Sequence, residues 1–139
     1  PQPRIIDVLQ SDPEAIILAP SNPYISIDPI LRLKGMKTAL KNAGAPIVAV
    51  SPIIGGKAIK GPAAKIMQEL GNDVSVLSIA AHYQDLIDGL VIDIQDAELA
   101  PQIRKMGIKT LVVKTVMTDL NSRIELAQAT LDFARECGS

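Results

Sequence analysis

The chain has 139 residues, 47% apolar but only 2% aromatic, so one domain with a core of Ile, Leu, Val and Ala is expected, the filling of a parallel sheet covered on both faces. A formal net charge of -1 without any basic tract argues against nucleic acid as a partner. No apolar run reaches the length of a membrane helix, and a single cysteine, Cys137, excludes an internal disulfide framework and fits a reducing, cytoplasmic compartment.

The leader at 1–10 has no evident partner. Residues 16–19 read as a short buried strand, stopped by Pro20 and a polar loop from Ser21 to Ser26. Asp28-Pro29 sets an N-cap residue beside a first-turn proline, and Leu33, Met36, Ala39 and Leu40 then recur at helical spacing up to Gly44. Residues 47–50 form the next strand. After a glycine/lysine loop, Gly61-Pro62 opens a helix with Ala63, Ile66, Met67 and Leu70 on one face, ending near Gly71 before a turn at Asn72-Asp73. Residues 74–84 are either a strand leading into a short helix or mostly helix. Strands at 90–94 and 108–113 flank a helix marked by Leu99, Ile103 and Met106, with Pro101 in its first turn and Gly107 past its end. Thr118 or Asp119 caps a last helix whose apolar series is Leu120, Ile124, Ala127, Leu131 and Ala134. Short apolar strands alternating with helices predict a Rossmann-like three-layer α/β sandwich with a mostly parallel sheet.

In such a sheet ligands settle beyond the carboxyl ends of the strands, which here carry the polar loops. From Gly55 to Gly61 one of them holds three glycines and two lysines in seven positions. Gly55 and Gly56 can turn the backbone and expose amides, and Lys57 and Lys60 can bring point charges to phosphate oxygens. The loop is neither a Walker motif nor a dinucleotide fingerprint; alternatively it is a surface turn with solvated lysines. Ser21, Asn22, Ser26 and Ser51 can bind a phosphate or carboxylate, or simply terminate their strands. His82, the sole histidine, stands beside Tyr83 and is a ligand contact, a proton carrier or a packed non-catalytic group. Asp85, Asp88, Asp93 and Asp96 are open to magnesium binding, with helix capping the alternative for Asp96 and solvated surface roles for the others. Met36, Met67, Met106 and Met117 fit core filling.

Ser21-Asn22-Pro23 followed by Ser26 and Pro29-Ile30-Leu31, and then the continuous stretch from Ser51 through Gly55-Gly56-Lys57-Ala58-Ile59-Lys60-Gly61-Pro62 to Ala63, resemble the 2-phospho-L-lactate transferase family of deazaflavin coenzyme F(420) biosynthesis. His82-Tyr83, Gly89 to Asp93 and Thr115-Val116-Met117 resemble its later segments in the same order. The resemblance implies that residues 1–139 are the carboxy-terminal part of a Rossmann-like transferase domain. The glycine/threonine-rich turn and the metal-binding aspartate of the family's amino-terminal half have no counterpart in this sequence.

It implies transfer of the 2-phospholactyl group from a guanosine diphosphate-linked donor, lactyl-2-diphospho-5'-guanosine, to the ribityl hydroxyl of a deazaflavin acceptor, with release of GMP. Mg2+ is the implied cofactor and a homodimer the implied assembly. Lys57 and Lys60 become the donor contacts, Gly55 and Gly56 the shapers of their loop, Ser21, Asn22 and Ser26 the positioning groups, and His82 and Tyr83 pocket residues. Two other readings stay open: a non-enzymatic nucleotide- or sugar-nucleotide-binding regulator, and a fragment inactive on its own.

Overall fold

Four short aliphatic runs assemble into a parallel sheet whose carboxyl edge gathers the polar loops. The computed structural model describes residues 10–11, 13–20, 27–55, 57–58 (backbone) and 75–138. The expected helix carrying Ala63, Ile66, Met67 and Leu70, and the turn at Asn72-Asp73, lie outside them. In chain order the described elements are β1 (Ile16–Leu18), α1 (Asp28–Leu31), α2 (Met36–Asn42), β2 (Ile47–Val50), β3 (Ile53–Ile54), β4 (Lys57–Ala58), α3 (Val76–Tyr83), β5 (Gly89–Asp93), a 3-10 helix (Ile94–Leu99), α4 (Ala100–Lys105), β6 (Lys109–Val113) and α5 (Leu120–Cys137).

The sheet runs β1-β2-β5-β6, every pair parallel, with Ile16 opposite Ile47, Val48 opposite Gly89 and Gly89 opposite Lys109. β3 and β4 form a separate antiparallel hairpin. Register at the amino edge is pinned by Asp88: its carboxylate accepts from Ile47 N–H at 2.8 Å while its own N–H donates to Ile47 C=O at 2.7 Å. Alternation along the strands sends Ile47, Ala49, Leu90 and Ile92 to one face, under α1 to α4, and Val48, Val50 and Val91 to the other, under α5. The result is the three-layer α/β sandwich expected of the apolar pattern.

Local signals explain most boundaries. Residues 74–84 resolve as helix from Val76, with Ser75 as N-cap accepting from Leu77 N–H at 2.9 Å. Prolines occupy the first turns of α1 and α4, where the missing N–H costs nothing. α5 starts with a capping box: Ser122 N–H donates to Asp119 at 2.7 Å and the Ser122 hydroxyl accepts from Asp119 N–H at 3.1 Å.

Three expectations need correction. The helical run around Leu33 and Met36 is broken: α1 ends at Leu31, Leu33 is exposed, and the chain restarts after Gly35, whose φ of 82° no L side chain takes easily. Asp93, not Asp96, caps the 3-10 helix, accepting from Gln95 N–H at 3.0 Å. And α5 buries Leu126, Thr130, Phe133 and Ala134, leaving Leu120 69% and Ile124 56% exposed. An 18-residue helix is about 27 Å long, whereas a five-residue strand covers about 17 Å, so the first turns of α5 overhang the sheet. Met117, in the loop before α5, is exposed too, while Met36 is buried.

The α5 cap also fixes a pH dependence. The backbone N–H of Ser122, followed by its side chain, holds the Asp119 carboxyl below its ordinary 3.8. Glu14, paired with Arg135, is likewise held below 4.5. A depressed carboxyl contributes stability above its unfolded pKa and loses it as pH falls through the folded one. Thermal melts should therefore shift down as pH drops from about 6 to about 3, and less so in Asp119→Asn, which keeps a capping oxygen without the titration.

Candidate functional site

The carboxyl ends of β2, β5 and β6 converge on one edge. β2 runs into Ser51, fully buried, whose N–H donates to Val91 C=O at 2.9 Å and extends the β2–β5 pairing. Its hydroxyl accepts from Ile53 N–H at 3.1 Å, folding the chain across Pro52 into the β3–β4 hairpin. Ile54 pairs with Lys57, and Gly55 opens the tight connection between them. Gly55 has φ of 57°, and a Cβ there would stand 2.9 Å from Gln95 Oε1. Left-handed backbone and the Gln95 side chain laid across it both favour glycine.

Two carboxylates organise this edge. Asp93, 2% exposed at the end of β5, accepts from Thr115 N–H at 2.8 Å and from Thr115 Oγ1 at 3.1 Å, as well as from Gln95. It ties the ends of β5 and β6 together. Asp96, 6% exposed, accepts from Gly55 N–H at 3.0 Å and ties the hairpin to the 3-10 helix. Periodicity does not reveal either link, since the partners lie 22 and 41 residues apart; the one signal is acidic residues just past a strand end.

Beside the hairpin, across Gln95, opens a cavity of about 720 Å³. Ile94, Val113, Val116 and Leu126 supply apolar wall, and Lys114, Asn121 and Glu125 polar groups. Polar residues outnumber apolar ones in its lining, which also includes Asp93, Gln95, Thr118, Asp119 and Ser122.

Of the sequence-derived candidates, the structure brings Ser51, Gly55 and, by backbone, Lys57 to this edge. His82 and Tyr83 lie elsewhere, on a cavity of about 300 Å³ shared with Asp28, Arg32, Lys37, Lys41 and Asp85. There His82 Nε2 is 2.7 Å from Asp28 Oδ1, and its ring meets that of Tyr83 edge-on. Ser21, Asn22, Ser26, Gly56 and Lys60 lie outside the described residues. Nor do the described residues fit a magnesium ion: no group of three His, Cys, Asp or Glu could hold a metal among them, Asp88 and Asp93 are engaged with backbone amides, and Asp96 holds Gly55. No described helix is long and apolar enough to cross a membrane.

The described residues thus place a glycine/lysine hairpin and a neighbouring cavity at the carboxyl edge of a parallel α/β sheet. Residues 1–129 match the family described as 2-phospho-L-lactate transferase CofD, and the chain belongs to that family. It is 43% identical to the 2-phospho-L-lactate transferase of Methanocaldococcus jannaschii over 126 residues, 91% of this chain and 38% of that protein. It is 33% identical to the phosphoenolpyruvate transferase of Streptomyces coelicolor over 137 residues, 98% of this chain and 43% of that protein. The 2-phospho-L-lactate transferase of Methanothermobacter thermautotrophicus is 38% identical over 94% of this chain and 42% of its own length. The chain thus spans about two fifths of the curated relatives it matches.

Proposed function

We propose that the polypeptide carrying this chain transfers a 2-phospholactyl group from lactyl-2-diphospho-5'-guanosine to the terminal ribityl hydroxyl of 7,8-didemethyl-8-hydroxy-5-deazariboflavin. The hydroxyl oxygen forms a bond to the phosphorus bearing lactate, the bond from that phosphorus to the bridging oxygen breaks, GMP leaves, and the hydroxyl proton is released. The observation that carries this reading is the hairpin held at the carboxyl edge next to the 720 Å³ cavity: a seat for donor phosphate beside space for a flat acceptor. In this reading Lys57 and Lys60 face the phosphate oxygens, where fixed positive charge stabilises the charge developing on them. Ser21, Asn22 and Ser26 position the substrates, Gly55, Gly56 and Ser51 shape the hairpin, and His82 and Tyr83 lie off the reaction centre.

The higher identity to relatives named for phospholactate supports that donor over phosphoenolpyruvate. Mg2+ dependence belongs to the same reading, with its ligands outside the described residues. Homodimerisation does too, supported by the exposed apolar stripe of Val116, Met117, Leu120 and Ile124. A second reading rests on the two-fifths coverage: the 139 residues by themselves do not turn over.

The test is a transfer assay with both donors, the deazaflavin acceptor and Mg2+, run on the longer polypeptide and on the 139 residues. Acceptor-dependent GMP release by the longer polypeptide, and none by the shorter, is the expected result. Guanine-nucleotide binding without turnover of either donor would replace the transferase with a regulator.

A further inference from the structure

We propose that Asp96 is a positioning residue that holds the tip of the glycine/lysine hairpin and so sets where Lys57 enters the donor site; the donor part of this inference rests on the transferase reading above. The chain kinks at Asp96, where φ of -107° and ψ of 15° interrupt the helical path after β5. The kink turns its carboxylate toward a segment 41 residues earlier, where it accepts from Gly55 N–H. Ser51 anchors the opening of the hairpin through Ile53 N–H, and Asp96 anchors its turn.

The tether has a chemical consequence. With its N–H committed to Asp96, Gly55 offers no amide to a bound anion, and a carboxylate at that end of the turn repels one. Anionic groups of the donor are thereby driven toward the lysine end of the loop, which begins one residue past the turn at Lys57. Gly55 serves as a backbone hinge fixed by Asp96, and the charge comes from the lysines.

Three variants of the longer polypeptide, followed by amide hydrogen exchange and by steady-state kinetics, test the assignment. In Asp96→Ala the Gly55 amide should exchange about tenfold faster while the amides of Val91 and Ile92 keep their protection. KM for the donor should rise about tenfold with KM for the acceptor unchanged. Asp96→Asn keeps an oxygen that can accept from Gly55 and should recover most of both losses. If the alanine variant does not fold, Asp96→Glu, which moves the oxygen by one methylene, should still raise KM for the donor alone. Unchanged Gly55 exchange, equal rises in both KM values, or an asparagine variant as impaired as the alanine would overturn the proposal. A wild type that turns over neither donor would sink the transferase reading instead, and exchange at Gly55 would then decide the tether by itself.

Discussion

Asp93→Ala should lower the unfolding free energy by about 3 kcal/mol, because two backbone N–H groups and a hydroxyl lose their common acceptor in a dry setting. Asp93 lies at the end of β5, 2% exposed, and its two oxygens serve Gln95 N–H on one side and both Thr115 donors on the other. The Thr115 bonds are buried between the ends of β5 and β6, whereas Gln95 lies on the exposed side. Asp93→Asn retains one acceptor but turns an NH2 toward the other donor, so it should cost roughly half as much. Thr115→Val removes the hydroxyl alone and should cost about 1 kcal/mol. Urea midpoints of the three variants check the order; an Asp93→Ala midpoint equal to that of Thr115→Val would show that the amides find other partners.

Gly89→Ala should destabilise by about 2 kcal/mol through overpacking. A methyl at Gly89 would stand 2.7 Å from Cε2 and 2.9 Å from Cζ of Phe133, and 2.9 Å from Cys137 Sγ. The Phe133 ring is buried in the cluster that joins α5 to the sheet, so relief requires the ring or the helix to shift. Phe133→Leu vacates part of that space. The Gly89→Ala, Phe133→Leu double variant should therefore be more stable than the sum of the single losses, by about 1 kcal/mol. Additive losses would mean that the helix and sheet adjust around the methyl independently.

The same contact explains what could and could not be read from the chain. Strands stood out because buried parallel strands are continuous aliphatic runs: 47–50 was located to the residue, and the other three to within one or two. Pro29, Pro101 and Asp119 marked helix starts because their chemistry is local. Long-range links left no such trace. The series through Leu120 and Ile124 looked like the buried face of α5, and Ala134 does go inward, but the first turns overhang the sheet and Leu126, Thr130 and Phe133 make up the rest of the buried face. The missing side chain at Gly89 leaves room for Phe133, 44 residues later, a link that no local pattern reveals.

At the site the pattern is similar. The glycine/lysine composition pointed to the hairpin, but which carboxylate would hold it could not be seen. Asp96 looked like a cap and Asp93 like a metal candidate; folding makes Asp93 the cap and Asp96 the tether. His82 and Tyr83 are neighbours in sequence to nothing that would separate them from the glycine/lysine loop. It is the antiparallel course of α3 beneath the sheet that carries them to the Asp28 pocket instead.

The most direct test of the central claim, that the β3–β4 hairpin grips the donor, is the specificity constant of the longer polypeptide for its donor in the Lys57→Gln, Lys60→Gln double variant. Loss of two charge-assisted contacts should lower kcat/KM for the donor about 100-fold while KM for the deazaflavin acceptor stays where it is. A donor kcat/KM unchanged from wild type would contradict the account and return the loop to an ordinary solvated turn.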